Sequence, residues 1–514
     1  MKLLRSTAHP LLFLPLFLLL LFTGCKENGV QEPLSQEKEL LSFRLESAKN
    51  PQLKDGDIVG NITANAIELE IPEGTDVSAA IATFTHSGAK VIVGSKEQIS
   101  GTTPNNFNNP LWYRVIAEDE SMKDYRVDVT FTSDHIPEVP EVSAIPCIRI
   151  ETEGRKPIVE KKTYLPATIV IEANGWGEDY EGTTRIRGRG NSTWGMPKKP
   201  YRLKLDKKSV ILGLAEERDW VLLANYIDPT LMLNAVALKI GQLLELPFTN
   251  HAIPVDLILN GEYAGSYMLT EQVELSSTRV NIDKKEGILL ELDTNFDEDF
   301  QFKSTHYNLP VMVKDPDIES EEHFQRVKDE FHQLEAAIAS DQFPNTPYKE
   351  YLDVESLAKY FIVYNLTHNM EINHPKSTYI HKDAGGKYTM GPIWDFDWAY
   401  DFEGRGIHFD SFQRSFLTNK NFPAPALGYT FFSRFFKDPE FVALYKETWS
   451  HFYSEKKDEL MEYIDWYAEQ ITESQKKDQA KWKNGTTNFP SKIYQLKAWL
   501  EGRFLFMDSE AKAL

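Results

Sequence analysis

The hydrophobic period changes once along this chain, and that change limits the fold more than any single motif. Between Ile145 and Leu292 apolar residues mostly alternate, as in strands with one buried face. From Glu319 onward they recur at helical spacing: Phe324, Val327, Phe331, Leu334 and Ile338 form a stripe behind the acidic turn Glu319, Glu321, Glu322. Asp438 followed by Pro439 places a capping side chain and a first-turn proline at a later helix start, and the aromatic positions beyond it read as core. Strands first and helices after predict an α+β domain over residues 143–514.

Ahead of that domain, residues 41–132 alternate in short segments: Ala66 to Ile71, Ala80 to Phe84, Lys90 to Val93, Trp112 to Ala117 and Tyr125 to Phe131. Gly, Asn, Asp and Pro separate them, which predicts a small antiparallel β-sandwich serving as a spacer or docking module. Residues 133–142 contain Pro137 and Pro140 and read as an extended, semi-rigid linker.

The first residues set Lys2 and Arg5 before an apolar run from Leu11 to Phe22, too short for a membrane-spanning helix but suited to a signal peptide. Phe22-Thr23-Gly24-Cys25 has the pattern of a lipobox, so residues 1–24 are expected to be removed and Cys25 to carry lipid. Residues 25–40 then form a tether, and its charged start, Lys26-Glu27, resembles signals that send some lipoproteins to the outer membrane or cell surface. Cys147 would be left without a disulfide partner. The formal charge of −21 argues against a nucleic-acid partner and leaves the lipid as the only membrane attachment.

Three constellations carry chemistry. Between Arg185 and Lys208 stand nine Lys or Arg against the single acid Asp206, including Arg187-Gly-Arg189-Gly-Asn191 and Lys198-Lys199-Pro-Tyr201-Arg202-Leu203-Lys204. Gly188 and Gly190 permit close backbone approach, while Arg202 and Lys204 share one strand face opposite Tyr201, Leu203 and Leu205. Fixed cations and loop amides suit an oligophosphate, and a solvated basic strand face is the alternative. Next, Asn260-Gly261 marks a hairpin whose second strand ends at Glu271, either orienting a cation or simply exposed at the strand end. The third runs from Asn369-Met-Glu371 through His374-Pro-Lys376 to Trp394-Asp395-Phe-Asp397-Trp398. Asp395 and Asp397, one residue apart, could converge on a hard cation, or else pair with arginine or backbone amides. His368, His374 and His381 lack zinc-site spacing, and there is no nucleophile elbow, Walker loop or dinucleotide fingerprint.

Taken together, four ordered blocks resemble the CotH (spore coat protein H) kinase family over roughly Arg185 to Asp401. They are Arg187 to Ser192 with Lys198 to Arg202, Trp220 to Asp228, Gly261 to Glu271, and Trp394 to Asp397. The resemblance implies an atypical protein-kinase-like fold with a strand-rich N-lobe and a helical C-lobe. It also implies ATP between the lobes, Mg²⁺, and phosphate transfer to Ser or Thr of a protein. On that resemblance Asp395 looks like the magnesium-binding acid, supported by Asp397 and Asn369. Arg187, Lys199, Arg202, Lys204 and Glu271 would serve the nucleotide. Glu371 stands where the family usually has aspartate, so it either positions the acceptor hydroxyl from one methylene further out or marks a pseudokinase. CotH-like domains also resemble host-attachment proteins, and the sandwich resembles Ig-like modules of Gram-negative surface lipoproteins. A surface protein or glycan ligand is therefore the alternative partner. The shared expectation is that the acidic and basic segments meet across one cleft.

Overall fold

The computed structural model describes residues 34–54, 56–72, 75–94, 96–108, 111–132, 144–419 and 426–514. The expected signal peptide, Cys25 and the expected linker over 133–142 lie outside the described residues.

Residues 40–132 form a β-sandwich of a four-stranded and a six-stranded sheet. Along Ala66–Pro72 buried and exposed residues alternate, so Ile67, Leu69 and Ile71 meet Phe43, Tyr113, Val115 and Val127 in one core. The sandwich is not purely antiparallel, as alternation alone predicted, because Met122–Thr132 pairs in parallel with Ala66–Pro72. Side-chain period fixes which face is buried but carries no information on strand direction.

The strand-like region from Cys147 closes into a seven-stranded barrel. Neighbours pair antiparallel except at the seam, where Cys147–Thr152 runs parallel to Ile253–Leu259. Ile150, Ile169, Ile186, Leu203, Leu205 and Trp220 are among the buried residues that fill the interior. Tyr201, Leu203 and Leu205 point inward, and Arg202 and Lys204 outward, as the alternation requires. The Asn260-Gly261 turn has positive φ at both residues, 53° and 86°, the geometry of a primed hairpin turn.

After the barrel comes a five-stranded sheet: the strands Gln301–Lys303, Pro310–Asp315, Ile288–Leu292, Thr378–Lys382 and Tyr388–Met390, in that order. Helices surround it. Val354–Leu366 runs buried through the centre, capped by Asp353, and Glu321–Ala339 buries Val327, Phe331, Leu334 and Ile338 as the stripe predicts. Pro439–Glu455 starts at Asp438, whose carboxylate accepts the Glu440 amide at 2.9 Å. The long helices Lys457–Trp482 and Phe489–Ala513 close the domain, and none among the described residues is long and apolar enough to cross a membrane.

Two buried cations lock this body together. Lys198, fully buried, pairs with Asp478 at 2.6 Å and joins the basic segment to helix Lys457–Trp482. Arg503, also fully buried, donates to the Asn365, Phe412 and Arg414 carbonyls and to Asn365 Oδ1 at 2.5–2.8 Å.

Candidate active site

The acidic turn 394–398 follows the hairpin strands of the five-stranded sheet and packs beneath the barrel. Trp394 is buried with Val221 of the barrel strand Leu214–Leu223 and with Tyr379 and Leu289 of the sheet, so its ring spans the lobe junction. Asp395 has φ 65°, a left-handed conformation that an L-residue adopts only where its surroundings hold it. Asn369 supplies part of that hold: its Nδ2 donates to the Asp395 carbonyl at 3.1 Å, while its Oδ1 accepts the Glu371 amide at 3.0 Å.

The basic segment meets this turn through Arg189. Its guanidinium lies over the Trp394 ring, 5.3 Å from the centroid. Burial lowers the Arg189 pKa, and the charges of Asp395 and Asp397 offset only part of that shift. The like charge of Arg202 adds to the lowering.

The cations expected to bind phosphate are disposed differently. Arg187 donates to the Lys161 carbonyl and stacks over Tyr164 at 4.8 Å. Lys199 donates to the Trp194 carbonyl at 2.7 Å. Arg202 and Lys204 share Asp219, at 2.9 and 3.5 Å, so one buried acid already engages both. Glu271 is neither exposed nor aimed at the basic strand, since both its oxygens engage His251, from Nδ1 at 2.6 Å and from the amide at 2.8 Å. Among these cations, Arg189 is therefore the one the fold turns toward the acids.

The glycines likewise have an internal explanation. A Cβ on Gly188 would stand 2.3 Å from the Trp194 ring, and Gly190 has φ 84°. Gly188→Ala is expected to displace Trp194 and destabilise the domain by about 1–3 kcal/mol, read from the urea midpoint at unchanged slope.

On the acidic side negative charge is in excess. Burial raises the Asp395 pKa and nearby Asp293 adds to this, with Arg189 and Lys376 opposing. Asp397 is pushed up to about 7 by burial, then by Asp395 and Asp228, although Asn234 donates to its Oδ1 at 2.5 Å. Glu371 is driven well above the carboxylate range by burial, Asp395 and Glu403. Among the described residues no group of three or more His, Cys, Asp or Glu could hold a metal ion by itself. Mg²⁺ needs only one or two carboxylates when phosphate oxygens and water complete its shell, so Asp395, Asp397 and the Asn369 amide fit it chemically. The histidines do not converge: His374 bonds Glu403 at 2.5 Å, His381 the Gly391 carbonyl at 3.0 Å, and His368 lies 3.5 Å from Asp401.

One pH effect follows. The folded pKa of Asp397 lies above that of an unfolded aspartate, about 4, so its contribution to stability is complete below about pH 4 and is lost as pH rises through about 7. The stability gap by which Asp397→Asn exceeds the wild type should widen between about pH 5 and pH 8. Ligand-free urea unfolding measures it, and a constant gap would contradict the assignment.

Sequence reasoning did not single out Arg189, Lys376, Asp293 or Asn234. Arg189 stands two residues after Arg187 in sequence, so period could not choose between them. Asn234 left one signal, a polar residue in the otherwise apolar start of helix Leu233–Leu243.

A barrel lobe set on a helical lobe, with an arginine facing an acid pair at their junction, defines a kinase-like α+β protein. A family model described as "CotH kinase protein" matches residues 186–507, and the chain belongs to that family. A second, "SGBP, N-terminal", matches residues 42–129, the sandwich. Among solved structures, a Bacteroides fragilis protein provisionally described as secreted is 20% identical, covering 20% of this chain and 99% of its own, with a TM-score of 0.14. A Bacteroides thetaiotaomicron protein provisionally described as a glycoside hydrolase is 15% identical, covering 58% and 89%, with a TM-score of 0.16. Neither likeness bears on fold or function at those scores. No curated protein matches the chain.

Proposed function

We propose that this chain is an extracytoplasmic protein kinase, lipid-anchored through Cys25 at the outer membrane or cell surface, that transfers phosphate from ATP to Ser or Thr of a protein. The observation that carries the reading is Arg189 on Trp394, within electrostatic reach of Asp395 and Asp397. Asp395, Asp397 and Asn369 would hold Mg²⁺, which supplies neutralisation of phosphate charge when bound. Arg189 offers fixed positive charge to the same phosphates. Glu371, whose raised pKa favours the protonated form, would orient an acceptor hydroxyl and take its proton once the neighbouring acids are neutralised.

The test is incubation of the purified protein with labelled ATP, Mg²⁺ and surface proteins of the host cell, followed by phosphosite mapping. Label on Ser or Thr is expected. ATP binding without any transfer would overturn the enzyme reading. The sandwich matching the SGBP N-terminal model favours a second reading, a pseudokinase that binds a surface protein or glycan. Ligand binding indifferent to Mg²⁺ and ATP would support that one. Mass spectrometry of the mature N-terminus checks the lipid on Cys25.

A further inference from the structure

We propose that Asn234 is the positioning residue that fixes the Asp395–Asp397 pair for its cation; the inference rests on the kinase-like reading above. Asn234 lies in the first turn of helix Leu233–Leu243 and is 3% exposed. Its Nδ2 donates to Asp397 Oδ1 at 2.5 Å and to Asn225 Oδ1 at 3.2 Å, and its Oδ1 accepts the Phe396 amide at 2.8 Å. One amide thus grips the side chain of one acid and the backbone between both. The Phe396 N–H can only donate, so it selects the Asn234 oxygen and turns the NH₂ group toward the carboxylate. With Oδ1 held, the Asp397 carboxylate cannot rotate freely, and Oδ2 is the oxygen left for a cation.

The helix start that carries Asn234 is itself pinned. Asp228 accepts the Thr230 and Leu233 amides, each at 2.7 Å, and the Tyr400 hydroxyl donates to the Leu233 carbonyl at 3.1 Å. Asn225, two residues beyond the barrel strand Leu214–Leu223, donates to the Leu231 carbonyl at 3.1 Å. A polar chain therefore runs from the barrel exit through Asn225 and Asn234 to the acids, referencing them to the lobe that carries Arg189. Aspartate at 234 would set carboxylate against carboxylate, and alanine would leave three polar partners unmet.

The test is calorimetric titration of ATP at graded Mg²⁺ on wild type, Asn234→Ala and Asn234→Asp, with ligand-free urea unfolding of each. Groups that orient metal ligands in this way alter metal affinity roughly 10–100-fold when removed, so both variants should need that much more Mg²⁺ for the same nucleotide affinity. Any weak nucleotide binding without Mg²⁺ should be the same in wild type and Asn234→Ala. A lowered urea midpoint with an unchanged Mg²⁺ requirement would overturn the positioning role alone. A wild type without Mg²⁺-dependent nucleotide binding would overturn the kinase-like reading and this role with it. Should Asn234→Ala fail to fold, Asn234→Ser retains a donor at shorter reach and decides the same question by the same Mg²⁺ requirement.

Discussion

Asp395→Asn is expected to lower phosphoryl transfer by roughly 10²–10³-fold, the range for removing one fixed electrostatic group from a reaction centre. The substitution keeps the side-chain volume, removes the charge and exchanges one acceptor oxygen for an NH₂ donor, so the Arg189 contact with Trp394 should persist. Asp395 raises the pKa of both Glu371 and Asp397, and its loss relieves that repulsion. The ligand-free domain should therefore become more stable, not less. Activity falling while the urea midpoint rises distinguishes a site that stores like charge for a cation from an acid pair that merely braces the fold. Falls in both would indicate the bracing role.

Arg503→Met is expected to produce the largest stability loss, about 3–5 kcal/mol, because it removes the donor side of a buried network and leaves its acceptors in place. Those acceptors are the carbonyls of Asn365, Phe412 and Arg414 and the Asn365 side chain. They join helices Phe489–Ala513 and Val354–Leu366 to the stretch where Arg414 pairs with Asp401 at 2.8 Å. Arg503→Lys should restore only part of the loss, since an ammonium cannot match a planar fork serving a helix and a loop. Urea unfolding followed by tryptophan fluorescence reads both variants, and equal midpoints for Arg503→Met and wild type would show the network to be dispensable.

Much of the architecture was legible because period and capping are local. Ala66–Pro72, Lys90–Val93 and the helix at Asp438-Pro439 lie where alternation and turn chemistry put them. Barrel closure was not legible, because it depends on pairing Cys147–Thr152 with Ile253–Leu259, a long-range parallel contact that leaves no mark on either strand's own pattern. At the site, residue type announced Asp395 and Asp397, since acids among large aromatics need a partner, whereas Glu371 entered only through the family resemblance. Which cation would meet them was not announced. Lys199 and Glu271 looked available in sequence, yet the Trp194 carbonyl and His251 already engage them, and such bonds follow only from the folded loops. The same holds for Asn234, whose importance arises from a carboxylate far along the chain rather than from its neighbours.

The most direct test of the central claim, that Arg189 and the 395–397 acids form one magnesium–nucleotide site, is calorimetric titration of ATP into wild type and Arg189→Met with and without Mg²⁺. Tight binding that requires Mg²⁺ in wild type and is lost in Arg189→Met is the predicted result. Equal affinity in all four titrations, or none in any, would contradict it.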